Sequence, residues 1–262
     1  MSHSIVLIKK EVVQMVREYK VIWLPIVFIF LGITQPVLTY YLPSILEALG
    51  GGQGISIDSS LTSQKGGEVL ASTLGSQFDQ LGLIILAISM MGIIQADKVN
   101  GMLDFILTRP VTVFSFIGGK IVSNYLLAAF SIALGYLTSY LYVMSLFSSV
   151  PILNMILALL FYLIWVLFIA SFTMMISAIF HSQGIIALIS IIFLIGCKII
   201  VQLNPVIELL NPASMSVHAI EVLMTGSVGS NIIFHLLVTL GWIFIIFFVT
   251  YYWISTKKYH LK

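Results

Sequence analysis

The sequence contains few charged residues, which excludes a soluble protein. It has 12 basic and 10 acidic residues among 262, so charged residues make up 8% of the chain, against about 25% in an average soluble domain. So few charges could not cover the surface of a soluble fold of this size. Hydrophobic residues make up 60%, and they form runs of about 20 residues, the length that crosses a hydrocarbon core of about 30 Å. The sequence therefore predicts an integral membrane protein.

The sequence also lacks the motifs of an enzyme. Cys197 is the only cysteine, which excludes an internal disulfide and a cysteine-based metal site. Gly118-Gly119-Lys120 lacks the upstream glycine and the following Ser or Thr of a phosphate-binding loop, and no histidines have the HExxH spacing of a zinc site. No basic run is long enough to bind nucleic acid. We therefore expect a non-catalytic chain with no cofactor or metal of its own and no nucleic-acid partner.

Charge is scarce inside the apolar runs as well. Transporters that couple to ions carry charged side chains within the bilayer, whereas the only charge away from the ends of the apolar runs of this chain is Lys198, near the outer end of the fifth run. Two interpretations of Lys198 are open: its ammonium extends to the membrane interface, or it contributes to a substrate pathway or a gate. The sequence shows no coupling-ion site, so any uphill transport requires energy from another protein.

The apolar segments predict an all-α protein with six transmembrane helices. They cover about 21–42, 79–96, 121–145, 152–179, 184–202 and 231–254. Residues 1–20 predict an amphipathic helix at the membrane interface, or simply a cytosolic start to the first span. Residues 43–78 predict an external loop, and residues 203–230, interrupted by two prolines, predict short re-entrant helices before the last span. We expect 1–262 to form a single transmembrane domain.

The basic residues predict the orientation of the spans. With both termini in the cytoplasm, the outer segments hold Lys65 alone, with Lys198 near the outer boundary. The inner segments then hold the other ten basic residues: Lys9, Lys10, Arg17, Lys20, Lys98, Arg109, Lys120, Lys257, Lys258 and Lys262. Cytoplasmic segments of membrane proteins carry such an excess of Lys and Arg, so we expect both termini to be cytoplasmic.

The inner segment between the second and third spans has an unusual pattern. Residues 95–120 read QADKVNGMLDFILTRPVTVFSFIGGK. Residues 102–107 predict a short apolar helix, and Pro110 disfavours helical conformation at Arg109. A short rigid helix held between two spans could transmit force to both of them. The alternative is an ordinary interfacial loop.

This segment resembles a known family. The run Asp97-Lys98-Val99-Asn100-Gly101-Met102-Leu103-Asp104, followed by Thr108-Arg109-Pro110-Val111 and Lys120, is similar to the corresponding segment in permease subunits of ABC-2 type transporters. Both acids are Asp where Glu is usual, and Met102 replaces a threonine. The amphipathic N-terminal helix, the six spans and the short helices before the last span also resemble that family, so the likeness covers the whole chain.

The resemblance implies a permease subunit of an ATP-driven exporter in the bacterial cell membrane. It implies that a separate ATP-binding cassette ATPase binds the ATP, and that a second permease copy or a paralogue completes the pathway within the lipid bilayer. The segment 97–109 would be the coupling helix that contacts the ATPase, through Asp97, Lys98, Gly101, Asp104 and Arg109. The alternatives are a stand-alone secondary transporter or channel, and a membrane sensor or assembly protein. The cargo stays open.

Overall fold

A computed structural model describes residues 3–49, 65–103, 112–201, 203, 205–229 and 231–256. Every regular element in these ranges is helical. In chain order the elements are α1 (His3–Arg17), α2 (Lys20–Leu49), α3 (Gly66–Ser72), a π-helical segment (Thr73–Gly82), α4 (Leu83–Met90), α5 (Gln95–Val99), α6 (Val113–Leu146), α7 (Ile152–Ile179), α8 (Gln183–Val201), α9 (Pro205–Leu210), α10 (Ser214–Thr225) and α11 (Ile232–Thr256).

Six of the described helices are long and apolar enough to cross a membrane, which confirms the all-helical, six-span prediction. The candidate spans are Lys20–Ile45, Gly66–Val99, Val113–Leu146, Ile152–Ile179, Gln183–Val201 and Ile232–Thr256. Helices bond most of their backbone groups internally, which is what a segment in lipid requires. The placement of the termini relative to the membrane stays a prediction.

The second span begins much earlier than the sequence predicted. Its helix starts at Gly66, and α2 continues to Leu49, so helices occupy both ends of the expected external loop 43–78. Residues 50–64 lie outside the described part of the chain. The prediction of a loop fails over 66–78 because serines and acidic residues also occur inside a packed helix. In the structure Ser72 and Thr73 donate hydrogen bonds to carbonyls one turn earlier in the helix, at 2.9 and 3.1 Å, which satisfies their hydroxyls without ending the helix.

Helices α2 and α6 are in direct backbone contact. A Cβ atom on Gly135 would collide with the carbonyl of Phe28, and one on Gly32 would collide with the carbonyl of Gly135. Small residues at every fourth position allow helices to approach in this way in lipid. Ser139, one turn after Gly135, forms a hydrogen bond of 2.9 Å with Thr73 of the π-helical segment. These contacts hold the first three spans together.

Helix α7 lies at the centre of the bundle. Its buried face carries large side chains, including Tyr162, Trp165 and Phe168, and it contacts α4, α6, α8, α10 and α11. Because α7 contacts four other spans and α10, it is the element that most of the bundle packs against.

Two short helices precede the last span, as expected from the sequence. Asn211 connects them: its Nδ2 donates to the carbonyl of Cys197 at 2.7 Å, and its Oδ1 accepts from the Ala213 amide at 3.0 Å. Gly226, with φ of +72°, ends α10 in the left-handed conformation that glycine adopts readily. Whether these helices enter the membrane from its outer surface stays a prediction.

Candidate functional site

The segment expected to act as a coupling helix begins with α5, and α7 holds its first turn in place. The second span breaks after Met91, and Ser177 of α7 fills the break. The Ser177 hydroxyl accepts from the amides of Ile94 and Gln95 at 3.1 and 3.0 Å and donates to the carbonyl of Met91 at 2.9 Å. Amides at a helix start have no partner within their own helix. Ser177 therefore fixes where α5 begins.

Lys98 fastens α5 to the end of α7. Its ammonium donates to the carbonyls of Ser177, Ala178 and Phe180 at 3.2, 2.8 and 2.6 Å. The last carbonyls of a helix lack partners and carry partial negative charge, which favours a cation. Gln95 adds a bond from its Nε2 to the carbonyl of His181 at 2.7 Å. The predicted coupling residue Lys98 is thus turned toward the protein and anchors the segment.

Asp97 lies in a largely buried cluster of four charges with Lys10, the most exposed member, at its edge; we call Lys10, Glu11, Asp97 and Lys120 the inner charge cluster. Lys120 Nζ lies 3.0 Å from Glu11 Oε1 and 2.7 Å from Asp97 Oδ2. Lys10 Nζ is more distant, 3.8 Å from Glu11 and 3.6 Å from Asp97. Asp97 and Lys120 are only 4% and 2% exposed. The cluster joins α1, α5 and α6, and its two positive and two negative charges balance.

The surface next to this anchor is exposed. Val99, Asn100, Gly101 and Met102 face outward, whereas Leu103 is buried. Gly101 has φ of +66°, and no described atom lies within 4 Å of the place a Cβ would occupy. Its glycine is needed for the backbone turn and not for space. Asp104 and Arg109, the other predicted coupling residues, lie outside the described residues, so their role stays a prediction.

Sequence reasoning missed Glu11 and Ser177 as parts of this site. Glu11 had a detectable signal, because it is one helical turn from both Ile8 and Met15 and so falls on the apolar stripe of α1. A single carboxylate on a packed stripe needs a buried cation. Ser177 had no such signal, since serines that only bond to their own helix are common in the spans.

A second polar site lies where the second span, the fifth span and α10 meet. Lys198 Nζ is 2.5 Å from Asp79 Oδ2 and 2.5 Å from Ser216 Oγ. Asp79 is 3% exposed and stands on the π-helical segment, a geometry frequent at functional sites. Lys198 therefore binds a buried acid, and a role for it in a pathway or gate stays a prediction. Asp79 was missed because it stood at the predicted edge of the second span.

One face of the second span is polar and is only partly covered by α2 and α10. Ser76 Oγ and Gln77 Nε2 both donate to Gln35 Oε1, at 3.3 and 3.1 Å. Beside them is a groove of about 480 Å³. Its polar lining side chains are Gln35, Glu68, Ser72 and Ser76. We call these residues, with Gln77, the polar face. Polar groups in membrane proteins rarely face lipid, so this face requires a polar neighbour.

Glu18 lies at the junction of α1 and α2. Partial burial alone would raise its pKa, but hydrogen bonds from Lys20 and Gln14, together with the charge of Lys20, lower the pKa below its ordinary value. Lys20 Nζ lies 2.7 Å from Glu18 Oε2. Glu18 is therefore ionised and already paired at neutral pH.

His218, His235 and Glu221 form a small cluster on α10 and α11. The two imidazole rings are 4.8 Å apart, and His218 Nδ1 lies 3.1 Å from Glu221 Oε2. The described residues contain no group of three or more side chains arranged to hold a metal ion. The cluster lies where α10 and α11 pack together.

Comparison with known proteins agrees with this architecture. Residues 5–258 match the family described as ABC-2 family transporter protein. The chain is also 33% identical over 226 residues to a protein of Bacillus subtilis (strain 168) described as uncharacterized transmembrane protein YxlG, and the alignment covers 86% of this chain and 87% of that protein.

These matches confirm the resemblance stated from the sequence. Together with the six apolar helices, they show a multi-pass membrane protein, consistent with the bacterial cell membrane. The match extends over nearly the full length, so it includes the inner charge cluster, Asp79, Lys198 and the polar face. The chain belongs to the ABC-2 family of transporter proteins.

Proposed function

We propose that the chain is the permease subunit of an ATP-driven exporter, that a separate ATP-binding cassette ATPase drives it, and that a second permease chain completes the pathway. The observation that carries this proposal is that buried contacts fix one end of residues 95–103 while the next residues are exposed. Residues 95–98 bond to α1, α6 and α7, and the adjacent residues Val99 to Met102 are exposed. Such a segment suits the transfer of force from a partner.

The force would reach the spans through short, directed contacts. Asp97 is tied to Lys120 near the start of α6, and Lys98 to the last carbonyls of α7. A displacement of the exposed residues therefore pulls on the third and fourth spans together. Packed interiors of this kind transmit strain and do not deform smoothly. A partner that moves the segment when it hydrolyses ATP would thus change how these spans sit against the others.

The polar face supports a second permease chain. Gln35, Glu68, Ser72, Ser76 and Gln77 lie on the outer parts of the first and second spans, where lipid would leave them without adequate partners. Two chains that meet across these faces would enclose a polar pathway. We propose that Lys198 and Asp79 form a gate at its outer end, because their ion pair holds α10 against the second and fifth spans.

The Asp79–Lys198 pair is also the observation that favours a second candidate, a stand-alone secondary transporter. A buried carboxylate can carry a proton or accept a coupling ion. In this pair, however, the carboxylate already has an ammonium partner at 2.5 Å. A transporter of that kind would work without an ATPase, so the two candidates differ in a measurable property.

The test is purification of the tagged full-length chain from its native membranes at its native expression level, followed by measurement of ATP hydrolysis and of the bound subunits. We expect a stoichiometric ATPase subunit to remain bound. Val99→Asp, on the exposed surface, should release that subunit, whereas Val228→Asp, an equally drastic change beyond α10, should not. Repeated isolation of the folded chain with no ATPase bound would contradict the proposal.

A further inference from the structure

Helix α1 has an exposed face with mixed apolar and basic side chains. Its buried side is defined by Glu11 and Met15, which pack toward α6 and α2. The opposite side carries Val12, Val13 and Val16, which are 44%, 44% and 54% exposed. Lys9 and Arg17 are exposed on the same side. Three uncovered valines are unfavourable in water, and two cations are unfavourable in the hydrocarbon core.

A groove lies between this face of α1 and residues 96–102 of the coupling segment. It has a volume of about 580 Å³. Among the described residues that line it, Lys9, Lys10 and Arg17 are basic and Asp97 alone is acidic. Asp97 is held by Lys120 at 2.7 Å, and the nearby Glu18 by Lys20 at 2.7 Å. Among the described residues, neither Lys9 nor Arg17 has an acid within ion-pair distance. The groove thus has an excess of positive charge.

We infer that this groove binds the phosphate-bearing headgroup of an anionic phospholipid in the cytoplasmic leaflet. The headgroup phosphate would lie between Lys9 and Arg17, and the acyl chains would cover the valines of α1. A lipid fits better than an acidic protein surface because the cations are interspersed with exposed valines, and a membrane interface offers anionic headgroups and acyl hydrocarbon side by side. Basic pockets at the cytoplasmic ends of spans recognise anionic headgroups through the same chemistry.

This lipid would also touch the coupling segment. Asn100 and Met102 line the groove opposite α1, and Lys10 Nζ lies 3.1 Å from Met102 Sδ. A bound headgroup would therefore brace the coupling segment against α1. The inference rests on the proposed cytoplasmic placement of α1, so its test is kept separate from the test of ATPase binding.

The test uses the purified full-length chain in a neutral detergent, titrated with phosphatidylglycerol or with phosphatidylcholine, with bound lipids counted by native mass spectrometry. We expect phosphatidylglycerol to be retained preferentially. Since each basic residue near an anionic surface contributes about a fivefold gain in binding, each of Lys9→Gln and Arg17→Gln should weaken retention about fivefold. Lys65→Gln, which removes an exposed cation elsewhere, should change nothing. Thermal unfolding in the same detergent checks that the variants are folded.

Three results would overturn the inference. The first is equal retention of phosphatidylglycerol by the wild type and the folded Lys9→Gln/Arg17→Gln variant. The second is full displacement of phosphatidylglycerol by an equimolar amount of inorganic phosphate, which would make the groove a site for a soluble anion. The third is loss of ATPase co-purification in that variant with lipid retention unchanged, which would make it a protein-docking surface. Failure of lipid binding alone would leave the ATPase proposal standing.

Discussion

Lys198 and Asp79 are joined across the bundle, with Lys198 Nζ 2.5 Å from Asp79 Oδ2. The pair links α8 to the π-helical segment of the second span, and Ser216 brings in α10 through the same ammonium. Neither charge is adequately solvated without the other, because both lie among membrane-spanning helices. This mutual dependence means that the pair stabilises the packing of α8 and α10 against the second span, and that role can be tested without knowing the cargo.

Removing one member of the pair should be more harmful than removing both. Lys198→Met or Asp79→Leu alone leaves a buried charge without a partner and should lower the free energy of unfolding by about 3–5 kcal/mol. The double variant Asp79→Leu/Lys198→Met should recover most of that loss. Unfolding in mixed detergent micelles, analysed as a double-mutant cycle, gives the coupling energy. Additive losses in the double variant would show that the pair has no structural role.

Gly101→Ala tests the backbone conformation of the coupling segment. With φ of +66° and no described atom within 4 Å, the only penalty is that of a left-handed conformation, about 1–2 kcal/mol. That strain should reduce coupling between ATP hydrolysis and transport while leaving membrane insertion intact. Gly101→Asn should be milder, since Asn tolerates this conformation.

Gly118→Ala is the matched control for this variant. Its Cβ also meets no described atom within 4 Å, but Gly118 lies inside α6 with ordinary helical geometry. Alanine favours a helix over glycine by about 1 kcal/mol, so this change should be neutral or stabilising. Unchanged coupling in Gly101→Ala would show that the turn at this position is unimportant.

Ser177→Ala tests the anchor on α7. The change leaves the buried amides of Ile94 and Gln95 without their acceptor, and an unsatisfied buried group costs about 1–3 kcal/mol. Ser171, on the same helix, bonds only to the carbonyl of Leu167, so Ser171→Ala should be nearly neutral. Thermal stability and ATPase stimulation should fall in the first variant and not in the second. Equal stability and equal ATPase stimulation in the two variants would show that Ser177 does not anchor α5.

Gly135→Ala tests the contact between the first and third spans. The added methyl group collides with the carbonyl of Phe28, and the two helices can only separate, at a cost of about 1–3 kcal/mol. Gly196→Ala, on α8, meets no described atom within 4 Å and serves as the control. A lower thermal unfolding temperature for the Gly135 variant alone is the expected result, and equal temperatures would contradict the close packing of α2 and α6.

The number of spans could be predicted because lipid imposes it. A helix must be apolar over about 20 residues to cross the bilayer. Such a run is visible in a continuous stretch of sequence, without knowledge of tertiary contacts. The start of the second span could not be predicted in the same way. The polar side chains of residues 66–78 bond to partners distant in sequence, such as Ser139 for Thr73 and Gln35 for Gln77.

The candidate site was predicted in part. The order of Asp97, Lys98 and Gly101 indicated the segment, and the position of Gly101 at a helix end follows from local rules. The partners of Asp97 and Lys98 did not follow, because Glu11, Lys120 and the end of α7 meet them only through tertiary packing. No pattern within residues 95–104 distinguishes an acid that faces a partner protein from one that is buried in its own fold.

The most direct test of the account is the side of the membrane on which residues 99–102 lie. Asn100→Cys in a Cys197→Ser background should be labelled by a membrane-impermeant maleimide in inside-out vesicles and not on intact cells, and bound ATPase should protect it. Lys65→Cys should show the opposite pattern, with labelling on intact cells. Labelling of Asn100→Cys on intact cells would contradict a role for this segment in receiving force from a cytoplasmic ATPase.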